Sequence, residues 1–268
     1  MIEEMLKEVL KKVVYKERFV AFLDILGYED LIHQNELLST ITINHLERVI
    51  EDVKSQLHPE GADKLFSTKL FSDCFCISCD YCEDNIWTML FALANIQFQL
   101  ATEGISLRGG LATGLHYESD NIIFSQGLIK AYKLEKNATN PRIIIDDALL
   151  GMIKKHQSCN RFIKKAPDGY YFIDYIESIF SFTLKEEWIY SALLKHKKET
   201  MRQIFLNINK IEVVEKYRWV VEYHNYKITK KLPQFIMDKT ASLLGKPSNE
   251  YGESLIIPES IFPKFEDG

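Results

Sequence analysis

The sequence predicts an α+β fold built on a βαββαβ core, and three observations carry that reading. Two short apolar runs, FVAFL at 19–23 and LFSDCFCIS at 70–78, have the length and the β-branched or aromatic content of buried strands. Two stretches repeat apolar residues at helical spacing: Ile43, Leu46, Val49, Ile50 and Val53, then Ile86, Met89, Leu90, Leu93, Ile96 and Leu100. Turn signals separate them at Pro59-Glu60-Gly61, Glu103-Gly104 and Pro167-Asp168-Gly169.

Taken in order, residues 1–14 read as a short helix with Met5, Leu6, Val9 and Leu10 on one face. A strand at 18–24 follows, then a helix from about residue 28 and another over 42–57. Residues 65–79 are too long and too interrupted for one strand, so they predict a tight hairpin with Ser72-Asp73 at its tip. A strongly apolar helix covers 84–102, and a strand at 105–116 contains RGGLATG. A short strand at 121–124, a helix at 127–137 and a strand at 142–145 after Pro141 come next. The opening order is the ferredoxin-like βαββαβ arrangement. Residues 161–175 read as a hairpin, 185–209 and 211–228 as helices, and the Pro-rich tail from 245 as irregular chain.

Composition bounds the function. With 268 residues, 46% hydrophobic and 26% charged, the chain has an ordinary globular make-up and ample length for a core. A net charge of −5 argues against a generic nucleic-acid or acidic-membrane binder. The start, MIEEMLKEVLKK, is amphipathic and acidic from residue 3, unlike a signal peptide, and no stretch approaches the ~18 apolar residues of a membrane span. A cytoplasmic protein is expected, with no nucleic acid and no membrane among its partners. Five cysteines suit a reducing compartment. Cys74, Cys76, Cys79 and Cys82 do not have the spacing of a zinc knuckle, and Cys74 and Cys76 fall on one face of the expected strand as small packing residues.

The two aspartates are the chemically informative residues. A carboxylate at the mouth of a buried strand is costly unless it is paired, capping or holding a cation. Asp24 suits an N-cap for the following helix as well as it suits a metal. Asp73 gives it a companion, and two such carboxylates converge on a divalent cation if their strands are neighbours.

At this point the spacing resembles a known family. FLDILGY is similar to the F-x-D-I-x-G-F segment of class III nucleotidyl cyclases, and KLFSDCF to that family's K-x-I-G-D hairpin. SLRGGLATG matches its R-x-G-x-x-x-G strand, and IKAYKLEKNA sits where the family has a V-N-x-A-x-R-L-E helix. GLIKAYKLE, PRIIID and KYRWVVEYHN further resemble the bacterial pyrimidine cyclases of Pycsar anti-phage systems. The resemblance covers about residues 15–175. It implies a palm-type cyclase domain at 1–175, with 176–268 as a helical extension packed on it. It also implies a homodimer with active sites at the interface, and conversion of a nucleoside triphosphate, UTP or CTP in the pyrimidine branch, to a 3′,5′-cyclic nucleotide.

Residue by residue, the resemblance gives Asp24, Asp73 and the Ile25 carbonyl to two Mg²⁺ or Mn²⁺ ions. It gives the backbone of Leu26, Gly27 and Tyr28 and the side chain of Arg108 to the triphosphate, with Lys164 or Lys165 as a second cation, and Lys69 to the base. Lys69 also reads as a hairpin-edge lysine, and Arg108 as a core-bordering arginine. Tyr28 or Phe71 could fill the space of a purine's second ring. Two departures stand out. Ser72 replaces the family's glycine, which asks for a different turn geometry. Lys133 replaces the transition-state arginine and Ile129 its asparagine partner, giving a point charge instead of a planar fork; Lys130 is another cation within reach of that role. A cyclase-fold sensor that binds nucleotide without turnover, a purine cyclase, and a polymerase-type or cyclic-dinucleotide enzyme are the competing functions. The last lacks a GGDEF-like turn. Tyr217, Trp219, Tyr223, His224 and Asn225 read as helical core packing.

Overall fold

The structure is a computed structural model describing residues 14–28, 36–57, 66–182, 185–233 and 253–262. The first elements are β1 (Lys16–Ile25), α1 (Glu36–Leu57), β2 (Phe66–Phe71), β3 (Cys74–Asp80), α2 (Glu83–Thr102) and β4 (Leu107–Glu118). Then come β5 (Ile123–Ser125), α3 (Gln126–Asn137), β6 (Ile143–Ile145), α4 (Asp147–Lys155), α5 (Gln157–Asn160), β7 (Ile163–Lys165) and β8 (Tyr171–Ile173). A 3-10 turn (Tyr175–Ser178), α6 (Ile179–Phe182), α7 (Glu186–Leu206) and α8 (Ile211–Lys231) complete the main body.

The strands form one sheet in the order β2-β3-β1-β4-β6-β8-β7, with β5 paired to β4. Its first four strands are antiparallel and in ferredoxin-like order, as the sequence predicts. β1 is central, and Phe19–Leu23 are buried whichever face they point to, because both faces are covered. On one face α2 is buried almost all round, enclosed by the sheet, α1 and α7; this accounts for its unbroken apolar composition.

On the other face α3 lies directly on β1 and β4. A side chain at Gly110 would collide with the Ala131 carbonyl, and one at Gly114 would come within 2.8 Å of the Gly127 nitrogen. Gly110 and Gly114 of RGGLATG are therefore required by the close approach of helix and strand.

The helices at the C-terminal end are the expected ones, and Leu193, Tyr223 and Ile228 belong to the same core cluster as Phe19 and Leu23. α1 starts earlier than the 42–57 stretch suggested. α4 was not foreseen; it begins at an Asp146 cap that accepts from the Ala148 N–H at 3.0 Å and ends on Lys154 and Lys155. The tail is irregular where it is described but not loose. Leu255 and Ile257 are fully buried, and Asn225 exchanges two 2.9 Å hydrogen bonds with Ile257. The expected helix at 1–14, most of the helix from residue 28, Pro59-Glu60-Gly61 and 245–252 lie outside the described residues.

A buried polar chain ties this tail to the sheet. His224 Nε2 lies 2.9 Å from the Leu255 carbonyl, which can only accept. The proton of neutral His224 is thus on Nε2, so its Nδ1 must accept from His196 Nδ1, 3.1 Å away. His196 Nε2 then accepts from the Tyr175 hydroxyl at 3.1 Å. One carbonyl fixes both tautomers. Burial pushes both imidazoles down, His224 to about 4, and each ring's neighbours add to or only partly offset that push.

The unfolded chain therefore takes up two protons near pH 6.5 that the folded chain refuses. Stability should fall as pH drops from about 6.5 towards 4, by up to about 2.7 kcal/mol per pH unit for two protons. Urea unfolding at a series of pH values measures this slope, and His224→Asn should flatten it.

Candidate active site

Asp24 is a partly exposed side chain that follows the buried run Phe19–Leu23 near the end of β1, and pairing sets its neighbours. It sits opposite Cys74 of β3 on one side and Arg108 of β4 on the other. The two-residue turn Ser72-Asp73 joins Phe71 to Cys74 and brings Asp73 to the same end of the sheet. The Ile25 N–H donates to the Asp73 carbonyl at 2.9 Å, which pins the hairpin tip to the end of β1. Two aspartates read from separate motifs are thereby brought together.

Ligand atoms of Asp24, Asp73 and Cys74 all lie within 4.8 Å of one another. The Cys74 thiol donates to Asp73 Oδ1 at 3.4 Å and lies 4.0 Å from Asp24 Oδ1. Burial and the adjacent carboxylates push that thiol up to about 12, so it stays protonated at neutral pH. Burial also raises Asp24; Arg108 opposes this and the Asp73 charge reinforces it. A carboxylate raised by burial and by a neighbouring charge gains from a divalent cation shared with that neighbour, and two aspartates suit Mg²⁺ or Mn²⁺. The donor set fits such an ion.

Arg108 is more deeply engaged than sequence suggested. Its Nε donates to Asp24 Oδ2 at 2.8 Å and lies 2.6 Å from Oε1 of Glu135, a residue only 1% exposed. Burial raises Glu135, the Arg108 charge lowers it and the Asp24 charge raises it. Two carboxylates thus share one guanidinium, with Lys136 next at 4.0 Å from Glu135. Neither the pattern of residues nor the resemblance gives Glu135 a role. The available signal was its position four residues after Ala131, on the helix face that meets the sheet.

The remaining expected site residues divide. The Leu26 N–H is not free for phosphate, because it donates to the Ser106 carbonyl at 2.9 Å. Gly27, at φ 76, is exposed, and Tyr28 packs against the main core. Lys69 shares a lateral row with Cys76, Phe22 and Gly110, next to the row of Phe71, Cys74, Asp24 and Arg108. Its Nζ is 4.0 Å from Glu118, which burial would raise but which hydrogen bonds from Ser67 and His116 and the charges of His116 and Arg18 hold below its ordinary range. The hairpin-edge reading of Lys69 thus has a partner in Glu118.

Lys133 lies on the exposed side of α3, because Ala131, Leu134 and Glu135 take the sheet side. Lys130 donates to the Thr113 carbonyl at 3.0 Å. Lys164 and Lys165 are on β7, separated from β1 by β4, β6 and β8, or about 19 Å at the usual strand spacing. Lys164 packs on Tyr226 of α8, and Lys165 is exposed. Within one chain, neither lysine nor Lys133 joins Asp24. Among the described residues the only metal-type cluster is Asp24, Asp73 and Cys74, so the other cysteines form no zinc site there.

No family model matches this chain, and no curated protein matches it. Solved structures similar to it include the adenylyl cyclase CyaB from P. aeruginosa, at 16% identity over 60% of this chain and 96% of that one, with a TM-score of 0.45. Another is the catalytic core of a rhodopsin-guanylyl cyclase with converted specificity in complex with ATPalphaS, at 16% identity, 59% and 95% coverage, and a TM-score of 0.46. A third is the monomeric guanylyl cyclase domain of the RhoGC fusion protein from the aquatic fungus Blastocladiella emersonii, at 13% identity, 60% and 97% coverage, and a TM-score of 0.45. Similarity at this level does not assign an activity.

Ser72 adopts a φ of 57, a left-handed conformation that favours glycine, so the hairpin tip carries a strained serine. Removing a left-handed Cβ should recover roughly 1–2 kcal/mol, against roughly 0.5–1 kcal/mol of glycine chain entropy. Ser72→Gly should therefore stabilise the protein by about 0.5–1 kcal/mol in urea unfolding.

Proposed function

We propose that this protein is a nucleotidyl cyclase that converts a nucleoside triphosphate to a 3′,5′-cyclic nucleotide and pyrophosphate. The observation that carries the reading is the convergence of Asp24 and Asp73, drawn from two separate motifs, at the open end of a ferredoxin-like sheet. Divalent cations held there would lower the pKa of the ribose 3′-hydroxyl and neutralise the phosphates. The 3′-oxygen attacks the α-phosphorus, gives up its proton, and displaces pyrophosphate. In this reading Asp24 and Asp73 would bind and orient, and the resemblance adds the Ile25 carbonyl as a further ligand. Arg108 lies one residue across the sheet from Asp24, within reach of a triphosphate, and Glu135 retains its guanidinium when Asp24 turns to a cation.

The pyrimidine preference for UTP or CTP, and a role in anti-phage defence, rest on the AYKLE, PRIIID and KYRW resemblance. Phe71, in the Asp24 row and 44% exposed, is the stronger of the two aromatic candidates for narrowing a base pocket, since Tyr28 packs part of its ring against the core. A homodimer with composite sites is the proposed assembly. Ile129 and Tyr132, 58% and 44% exposed on α3, give the face beside the site an apolar character. Lys133 and Lys165, exposed in their own chain, would then serve a partner's substrate. The second reading, a nucleotide-binding sensor without turnover, is favoured by one observation: the guanidinium already seated on Asp24 Oδ2.

Mn²⁺ should raise the melting temperature of the native protein and leave Asp24→Asn unmoved, because an ion that binds only the folded state stabilises it by mass action. Ionised Asp24 is disfavoured in the fold: its contribution is present below its ordinary pKa near 3.8 and lost as pH rises. Asp24→Asn without metal should therefore melt no lower than the native protein at pH 7. Incubation with each triphosphate and Mn²⁺ should give cyclic UMP or cyclic CMP in excess of cyclic AMP and cyclic GMP. Dominant purine products would overturn the pyrimidine preference, and binding without product would favour the sensor. Mixing inactive Asp24→Ala and Lys133→Ala chains should restore part of the activity; full activity in a monomer would exclude composite sites.

A further inference from the structure

The edge of the sheet far from Asp24 carries a second concentration of charge. A cavity of about 300 Å³ lies between β7, the 3-10 turn and α8. Five cations line it (Arg161, Lys164, Lys227, Lys230 and Lys231) against two carboxylates, Asp174 and Glu177. Both carboxylates are already committed. Lys227 binds Asp174 at 2.9 Å and Glu177 at 2.7 Å, Arg161 and Lys231 each lie 3.5 Å from Glu177, and the Tyr223 hydroxyl donates to Asp174. The local excess is three positive charges.

Lys164 is the telling member. It is half-buried and forms no ion pair among the described residues; its ammonium instead rests 3.0 Å from the centre of the Tyr226 ring. A cation–π contact returns only part of what a desolvated ammonium loses. Burial accordingly pushes Lys164 down to about 8; Asp174 partly opposes this and the Lys227 charge adds to it. A small anion in the cavity would supply the missing countercharge. Arg161 is 40% exposed at its side chain and offers the planar donors that suit phosphate oxygens.

We propose that this cavity binds a small polyphosphate anion, such as pyrophosphate or the phosphate tail of a nucleotide, through Lys164, Lys230 and Arg161. Such a ligand would bridge β7 to α8 and so fasten the last long helix to the sheet. The site is separate from the Asp24–Asp73 end and does not depend on the cyclase reading.

Isothermal titration of the full chain with pyrophosphate in EDTA, at constant ionic strength, tests it. We expect binding that Lys164→Gln weakens at least tenfold and Asp24→Asn leaves unchanged. Affinity should decline as pH rises above about 8, as free Lys164, which faces Asp174, Glu177, Tyr223, Tyr226, Arg161, Lys227, Lys230 and Lys231, loses its proton. In lysine NMR the Lys164 titration should move up on binding. Absence of metal-free binding, or binding lost in Asp24→Asn and kept in Lys164→Gln, would overturn the proposal. Equal binding of pyrophosphate and of single-stranded oligonucleotide, both lost in Lys164→Gln, would instead point to a nucleic-acid surface.

Discussion

The pairing of β1 with β3 and β4 is the constraint on which the rest depends. It is an antiparallel register in which a slip of one residue would turn every side chain to the opposite face. Asp24 would then enter the core, and Leu23 would face Arg108. The register is held by burial: Phe19, Val20, Ala21 and Leu23 have no measurable exposure, so the slipped alternative loses its apolar contacts on both faces. Asp24 is acceptable because it lies where coverage ends. The position that makes it expensive as an anion is also the one that makes it useful as a ligand.

Much of this was legible in the sequence, for identifiable reasons. Buried strands and helices announce themselves by period, and the hairpin at 66–80 was marked by Ser72-Asp73 interrupting the apolar run 70–78. The two aspartates could be picked out because a carboxylate in an apolar strand needs a reason. What stayed hidden was set by long-range pairing. Nothing local to Arg108 says that it faces both Asp24 and Glu135, because that follows from strand register and from the seating of α3. Leu26 read as a phosphate cradle because it opens a helix-like segment, but its amide is consumed by Ser106, about eighty residues away in sequence. Lys164 and Lys165 looked equivalent, yet strand alternation sends them to different neighbours.

The C-terminal helices illustrate the same limit. Tyr223 and His224 were read as packing, and they are buried, but their polar atoms do more than fill space. Buried imidazoles are tolerable only when every ring nitrogen has a partner, and here the chain Tyr175, His196, His224 and the Leu255 carbonyl satisfies all four. The residue that fixes the proton arrangement is a backbone carbonyl in an irregular tail, which no periodicity could single out. The tail is thus part of the core's hydrogen bonding although it has almost no regular structure.

The Arg108 contact bears on how the site could respond to a cation. A guanidinium on Asp24 Oδ2 leaves Oδ1 directed towards Cys74 and Asp73, so the cation position and the arginine lie on opposite oxygens of one carboxylate. An incoming ion need not displace Arg108; it competes with it for the charge of Asp24. Glu135 makes that competition mild, because Arg108 keeps a buried carboxylate 2.6 Å away whichever way Asp24 leans. Without Glu135, the guanidinium would have Asp24 as its only close anion, and withdrawing that charge would leave a partly buried cation uncompensated, a costly state. The glutamate that sequence left without a role is therefore what allows one aspartate to serve an arginine and a cation in turn.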